Sequence, residues 1–203
     1  KPYMILGGLL GRFLGQLDTG GLTAVKLEFE GKAAGLNEQP ILASALAGVL
    51  GPQMDSVNMV NAAALAHSHD IAVATVRHDR RCDYESLLRL TLSYKGGERM
   101  VCGTLVGGDK ARLVEVQGIS VESAFTENML YLRNYDKPGF IGALGSMMGE
   151  LGVNIATFHL GRKEAGGEAV ALIEIDGSVT HDTLQSIRAM PQVVRADYLQ
   201  FSA

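Results

Sequence analysis

Hydrophobic residues recur along the chain with two different periods, which predicts a mixture of helices and strands. Spacings of three and four residues near the start predict a helix with one buried face, formed by Leu6, Leu9, Leu10, Phe13, Leu14 and Leu17. Strict alternation of Val25, Leu27 and Phe29 with charged residues predicts a half-buried strand. A second helix is predicted from Asn37, a good N-cap, to Gly51, a typical stop.

The middle of the chain predicts more strands around a hairpin. Residues 57–60 predict a short extended piece that leads into an Ala-rich helix. The charged run 78–81 predicts a solvated loop, although such loops also bind anions in some proteins. Two apolar runs flank Lys95-Gly96-Gly97, which is typical of a β-hairpin. Further strands are predicted at 71–78, 111–118 and 127–134. We therefore expect residues 1–126 to form one domain of helices and a largely antiparallel sheet.

From residue 127 to residue 203 the pattern becomes regular. Strand and helix periods follow each other in the order βαββαβ within roughly seventy residues. This order is typical of a ferredoxin-like sandwich, in which two helices cover one face of a four-stranded antiparallel sheet. The fold class predicted for the whole chain is therefore α+β, with an α/β first domain and a ferredoxin-like second domain.

Composition and charge narrow the class of protein. The 203 residues are 47% hydrophobic and 20% charged, which is ordinary for a globular protein. A formal net charge of -4 gives no reason to expect nucleic acid as a partner. The apolar start of the chain is too short for a membrane span and is interrupted by Arg12, so we expect no membrane partner and a cytoplasmic location. The chain opens without Met, so we expect it to be part of a longer protein.

Catalytic and metal-binding motifs are missing from the sequence. There is no GxGxxG, P-loop, GxSxG or HExxH stretch. His67 and His69 lie two residues apart on a predicted helix and would point to different sides, so a metal site is not expected. Cys82 and Cys102 are far apart in sequence and predict two reduced thiols rather than a disulfide or a metal site. The chain on its own is therefore not expected to carry a catalytic site.

A polar turn before the first helix of the second domain is the candidate ligand site. Pro138 is well suited to the first turn of that helix. The backbone N–H groups of Gly139, Phe140 and Ile141 would then be free at the positive end of the helix dipole, where an anion binds readily. Asp136 lies just before the helix, so its carboxylate could cap these N–H groups or pair with the ammonium group of a ligand.

Asn154 is the second polar candidate, and it lies beyond the far end of the same helix. Within one chain it would be remote from Asp136. The separation disappears if two copies associate side by side, so that Asn154 of one faces the turn of the other. From the residues alone a plain alternative stays open, in which Asp136 is only an N-cap and Asn154 only a turn residue.

These residues also resemble those of a known family. The stretch "NYDKPGFIGALGSMMGELGVNIATFHLGR" resembles the opening of an ACT domain, a small-molecule sensor found in many enzymes of amino-acid biosynthesis. The likeness continues through "AVALIEIDG" and "VVRADYLQF". In the first domain "GRFLGQL", "VKLEFEGKAA", "VNMVNAAALAHSHDI", "CGTLVGG" and "ARLVEVQG" resemble the intervening domain of long-form D-3-phosphoglycerate dehydrogenases. The resemblance covers nearly the whole chain and implies the regulatory part of such an enzyme.

The resemblance implies a ligand and its contacts. L-serine would bind between two ACT domains of a homo-oligomer and inhibit NAD-dependent catalytic domains that this chain lacks, so NAD belongs to the parent enzyme and no cofactor to this chain. Asn134, Asp136 and the facing subunit's Asn154 would hold the ligand, with the backbone of residues 139–141 near its carboxylate. Tyr135 would point to the other face of the sheet.

The chain departs from the family at one point. Some members bind an anion in the intervening domain through a cluster of basic side chains. Here Arg112 is basic, but Ile119, Ser120 and Ala124 stand where further basic residues would be expected, so an anion site in the first domain is not expected. Three alternatives to serine regulation stay open: a sensor of another amino acid, the regulatory part of a serine dehydratase, and a purely structural dimerisation module.

Overall fold

The computed structural model describes residues 1–17, 20–78 and 82–201, and it divides the chain into two compact units, Lys1–Gly118 and Ile119–Ala203. Both units mix helices with mostly antiparallel strands, which confirms the predicted α+β class. This division falls between Gly118 and Ile119, whereas the sequence predicts a domain boundary after residue 126.

In its described residues, the first unit has two long helices, one short helix, one 3-10 turn and five strands. Its elements are α1 (Pro2–Gly15), β1 (Leu22–Gly31), the 3-10 turn (Lys32–Gly35), α2 (Glu38–Leu50), α3 (Ala62–Ser68), β2 (Ala72–His78), β3 (Ser86–Tyr94), β4 (Gly97–Val106) and β5 (Lys110–Val116). The strands of this unit follow each other in the order β2-β1-β3-β4-β5, and β2 pairs parallel with β1 while the other pairs are antiparallel. The N-cap at Asn37 is confirmed, since its side chain accepts a hydrogen bond from the backbone N–H of Gln39 at 3.3 Å.

Glycines allow α1 and α2 to pack with their backbones almost in contact. A Cβ atom added at Gly11 would lie 2.2 Å from the carbonyl oxygen of Ala45, and one added at Gly15 would lie 2.4 Å from that of Val49. Leu6, Leu10 and Leu14 of α1 are buried, whereas Leu9 is only half-buried. The predicted buried face of the first helix is therefore confirmed.

The second unit contains the predicted βαββαβ order preceded by one extra strand. Its elements are β6 (Ile119–Ala124), β7 (Asn128–Tyr135), α4 (Phe140–Glu150), β8 (Ile155–Arg162), β9 (Glu168–Ile175), α5 (His181–Arg188) and β10 (Val193–Gln200). Four of the strands form an antiparallel sheet in the order β10-β7-β9-β8, which is the ferredoxin-like order. Alternate residues of the sheet, such as Leu130, Leu132 and Ile173, pack with Leu144 of α4 and Ile187 of α5 in one core.

Strand β6 was not predicted from the sequence. It lies against β8, where a Cβ atom at Gly161 would come within 2.1 Å of the carbonyl oxygen of Ser120. Gln117 and Gly118 both have positive φ, 52° and 74°, and this tight turn is what separates β6 from β5. The alternation of buried Ile119 and Val121 with exposed residues is the signal that could have predicted it.

Two other local predictions differ from the structure. Residues 57–60 do not extend but end in a hydrogen-bonded turn, because the side chains of Asn58 and Asn61 bind backbone N–H groups there. Helix α4 begins at Phe140 rather than at Pro138, because Gly139 adopts a left-handed conformation with φ +88°. Of the charged run 78–81, residues 79–81 lie outside the described residues.

The remaining chemistry of the described residues is sparse. Cys82 and Cys102 are free thiols, and burial raises the pKa of the Cys102 thiol far above its ordinary value. Within the described ranges, no three His, Cys, Asp or Glu side chains are grouped so that they could hold a metal ion. No helix in the described part of the chain is long and apolar enough to cross a membrane.

Candidate functional site

The polar turn between β7 and α4 forms one wall of a surface pocket of about 580 Å³, a size typical of ligand sites. Residues 136–142 supply that wall, which we call the elbow. The opposite wall consists of Leu160 and Arg162 at the end of β8 and of Ala165 and Gly166 in the following turn. The pocket therefore lies at one end of the ferredoxin-like sheet, against the N-terminus of α4.

Backbone geometry at the elbow exposes hydrogen-bond donors. Gly139 is the N-cap of α4, and no side chain caps the helix. The N–H of Phe140 donates to the carbonyl of Lys137 at 3.3 Å. Among the described residues, none accepts a hydrogen bond from the N–H groups of Gly139, Ile141 or Gly142. These free N–H groups lie at the N-terminus of α4, which is the positive end of the helix dipole. A carboxylate or another small anion can therefore bind them.

Two of the predicted donors, Gly139 and Ile141, are thus available, whereas the N–H of Phe140 is occupied in this conformation and its side chain is buried in the core. Gly142 was missed in the sequence. With Pro138 placed in the first turn, the free N–H groups end at Ile141. Because Gly139 is instead the N-cap, the first turn moves along the chain and Gly142 becomes its third residue.

Asp136 supplies the acidic group of the pocket, but it does not cap the helix. Its Oδ2 accepts a hydrogen bond from Nη1 of Arg162 at 2.5 Å and a longer one from the N–H of Gly166 at 3.4 Å. The bond from Arg162 is the main reason that the pKa of the Asp136 carboxyl lies below its ordinary value. The alternative in which Asp136 acts only as an N-cap is therefore wrong for this structure.

Asn134 lies beneath the elbow on β7, on the helix-covered face of the sheet like Leu132. It is only 1% exposed, and its Nδ2 donates to the carbonyl of Tyr135 at 3.1 Å. Its Oδ1 is buried and finds no hydrogen-bond partner among the described residues. Tyr135 is 44% exposed on the opposite face, as predicted. An unsatisfied buried amide oxygen is costly, so it needs an explanation, and a role in function is one of them.

Asn154 does not belong to the same pocket of one chain. It precedes β8, whereas Arg162 ends that strand, so the eight residues of β8 separate it from the elbow. At a rise of roughly 3.3 Å per residue, this is a separation of roughly 25 Å. Its Nδ2 donates to Oδ2 of Asp176 at 2.6 Å. The structure of one chain therefore brings Asp136, Gly139 and Ile141 together and leaves Asn154 at the opposite end of the sheet.

Comparison with known proteins identifies the family. The model of the D-3-phosphoglycerate dehydrogenase intervening domain matches residues 1–117, which is more than half of the chain. The chain belongs to the D-3-phosphoglycerate dehydrogenase family. It is 31% identical to the D-3-phosphoglycerate dehydrogenase of Synechocystis over 92% of this chain and 34% of that protein. It is 28% identical to the Bacillus subtilis enzyme over 96% of this chain and 37% of that protein, and 29% identical to the Methanocaldococcus jannaschii enzyme over 95% and 37%.

The chain thus spans about a third of the length of these D-3-phosphoglycerate dehydrogenases. Their matches extend through the ferredoxin-like unit, beyond the residues that the intervening-domain model covers. Within the intervening domain, Arg112 is half-buried on β5 and its Nη1 donates to the carbonyl of Ala111 at 3.1 Å. The pocket at the elbow is therefore the better-developed candidate site of this chain.

Proposed function

We propose that this chain is the regulatory region of a D-3-phosphoglycerate dehydrogenase and that its ferredoxin-like unit is an ACT domain that binds L-serine or a similar amino acid. The observation that carries the proposal is the pocket at the elbow, where Asp136, Arg162 and free N–H groups of α4 lie within one cavity. A free amino acid needs donors for its carboxylate and an acceptor for its ammonium group, and this pocket offers both.

The site would be completed by a second copy of the chain. β8 is the outermost strand of the sheet, and within the described residues it pairs only with β9. If two chains join antiparallel along β8, the start of one strand lies beside the end of the other. Asn154 of one chain would then lie near Arg162 and Asp136 of its partner, and two equivalent sites would form about a two-fold axis.

Asn134 supports the same assignment. Its buried Oδ1 lacks a partner two residues before Asp136, so a ligand hydroxyl or ammonium group that reached it would remove an unfavourable state of the free chain. The hydrogen bond to the Asn134 oxygen would form only when the ligand is bound, so it would increase the affinity for the ligand.

Regulation would follow from the shared site. A ligand that bridges two chains stabilises whichever oligomer arrangement forms the bridge, and the arrangement that favours catalysis is depopulated if it differs. The NAD-dependent catalytic domains would belong to the rest of the full-length enzyme, and no cofactor is assigned to this chain. A cytoplasmic location stays a prediction.

Calorimetric titration of the chain with the common amino acids tests the proposal. L-serine should give saturable heat, with a stoichiometry near one per chain. Asp136→Ala and Asn154→Ala should each weaken binding by roughly tenfold or more, since each removes a hydrogen bond to a charged ligand group. Asp182→Ala and Gln185→Ala on exposed positions of α5 are matched controls and should bind as the parent does.

The other outcomes of the titration distinguish the alternatives to L-serine binding. Heat from a different amino acid, with the same sensitivity to the two variants, would mean that the chain senses that amino acid instead of L-serine. If no amino acid gives binding heat and the chain still self-associates, the proposal is overturned and the second unit is a structural dimerisation module.

A further inference from the structure

Asp136 and Arg162 form an ion pair, and both residues line the pocket. The Asp136 side chain is 20% exposed and that of Arg162 is 55% exposed, so the guanidinium is the more accessible partner. The hydrogen bond from Arg162 lowers the pKa of the Asp136 carboxyl, so the acid is ionised at neutral pH. In the free pocket, Asp136 and Arg162 therefore satisfy each other's charge, and Lys137 is a second cation in the lining.

Backbone structure fixes where these two charges stand. Arg162 ends β8 opposite Ala169, on the same helix-covered side as Leu160. The N–H of Asp136 donates to the carbonyl of Gly167 at 2.8 Å, which ties the elbow to the turn after β8. The long Arg162 side chain can still turn away from the carboxylate while both backbones stay in place.

Breaking this pair costs the folded chain little, because exposed ion pairs contribute little to stability. What decides binding is whether each separated charge finds a new partner. The guanidinium of Arg162 can take a carboxylate through two parallel hydrogen bonds, beside the free N–H groups of Ile141 and Gly142. The carboxylate of Asp136 can take an ammonium group.

A ligand with only one charge leaves the exchange incomplete. An amine without a carboxylate would pair with Asp136 but leave Arg162 beside Lys137 and the positive end of α4, without an anion. An acid without an ammonium group would have to compete with Asp136 for Arg162 and would leave that carboxylate unpaired. A molecule that carries both groups, as an α-amino acid does, replaces both halves of the ion pair.

We infer that Arg162 is the residue that makes the pocket selective for α-amino acid zwitterions, by exchanging its ion pair with Asp136 for one with the ligand carboxylate. The inference rests on the proposed function and adds a residue and a chemical class of ligand to it. Arg162 thus pairs with Asp136 in the free pocket and with the ligand carboxylate when the pocket is filled.

Three probes of nearly equal size separate the two charges: L-serine, L-serinamide, which lacks the carboxylate, and L-glycerate, in which a hydroxyl replaces the ammonium group. Calorimetry on the parent chain should show L-serine binding at least about tenfold more tightly than either analogue, since each analogue loses one charge-assisted contact. Arg162→Gln should weaken L-serine by about tenfold and L-serinamide much less. The preference for serine over serinamide should therefore collapse.

Two further variants control the experiment. Lys163→Gln removes the adjacent exposed cation, which does not line the pocket, and should keep the parental preference. Arg162→Lys keeps the charge but loses the two parallel hydrogen bonds, and should fall between the parent and Arg162→Gln. Unfolding midpoints of all four chains should agree. Agreement excludes altered folding, which would weaken the binding of every probe alike.

The outcomes distinguish this inference from the proposed function. Parental serine binding with an unchanged serine-to-serinamide ratio in Arg162→Gln overturns the inference alone. An equal loss of both ligands in that variant also overturns it, because it indicates a structural role. A parent chain that binds no amino acid overturns both proposals.

Discussion

A buried acid on β1 makes the stability of the first unit depend on pH. Glu28 is 8% exposed and accepts hydrogen bonds from Nε2 of His78 at 2.8 Å and from Nζ of Lys26 at 3.1 Å. Burial by itself raises the pKa of the carboxyl, but the bonds from His78 and Lys26 outweigh it and lower the pKa below its ordinary 4.5. The folded chain therefore holds this proton less tightly than the unfolded chain, and the interaction stabilises the fold only where the acid is ionised.

Replacing the acid by its amide should expose this dependence. At pH 7, Glu28→Gln should reduce the free energy of unfolding by about 1–2 kcal/mol, as expected for hydrogen bonds to a charged group. The difference from the parent should shrink as the pH falls below 4.5 and through the lower folded pKa. Urea unfolding followed by circular dichroism at several pH values measures it. Asp55→Asn, at an exposed residue, should show no such trend, and a difference that grows toward acid would contradict the prediction.

At the same scale, the sequence predicted which residues would line the pocket better than it predicted their partners. Asp136 was expected at the pocket and lies there, but the arginine that binds it is 26 residues away in sequence. Only the turn between β8 and β9 brings Arg162 to the elbow, and side-chain pairing across such a turn has no local signal. For Asn154 the sequence was sufficient, because the distance between Asn154 and Asp136 along the strand could be estimated from strand geometry alone.

Glycines on the helices have opposite roles in the two units, and substituting alanine separates them. Gly11→Ala should destabilise the first unit by at least about 2–3 kcal/mol, because the new methyl group would overlap backbone atoms of α2. Gly145→Ala on the exposed side of α4 meets nothing within 4 Å and should stabilise the second unit by about 0.5–1 kcal/mol through helix propensity.

Hydrogen exchange of the amides in α1 and α4 reports the two units separately, so each variant serves as the control for the other. Protection in α1 should fall in Gly11→Ala alone, and protection in α4 should rise in Gly145→Ala alone. If Gly11→Ala left the protection of α1 unchanged, the backbone contact between α1 and α2 would not be as close as the structure has it.

At the scale of elements, the periodic patterns were strong enough to predict every long helix and the βαββαβ order. What they missed were changes caused by single backbone conformations. The positive φ values of Gln117 and Gly118 form the turn that precedes β6, and the positive φ of Gly139 places the start of α4 at Phe140. Positive φ is uncommon in residues other than glycine, so the presence of Gln117 in the sequence does not predict this conformation.

For the whole molecule, the decisive question is whether one ligand site needs two chains. Asp136 and Asn154 lie at opposite ends of β8 in one chain, and antiparallel pairing along that strand would bring them together across a two-fold axis. A site within one chain and a site shared by two chains make different predictions for mixtures of variants.

Mixing the two damaged chains tests the shared site directly. Asp136→Ala lacks the acid and Asn154→Ala lacks the amide, and each alone should bind L-serine weakly. After dissociation and reassociation of an equal mixture, half of the dimers contain one chain of each kind. Each such dimer has one site in which both groups are intact, so about a quarter of the parental capacity should return at parental affinity. Calorimetry measures that capacity, and sedimentation confirms that dimers have re-formed.

The same mixture contradicts the two-chain site if no capacity returns while dimers do form, because two damaged one-chain sites cannot repair each other. A chain that carries both substitutions, mixed with the parent, provides the control. In that mixture each mixed dimer combines one intact and one damaged group at both sites, so capacity should fall to about a quarter rather than a half. A one-chain site would instead retain half, since every parental chain would keep its own site whatever its partner.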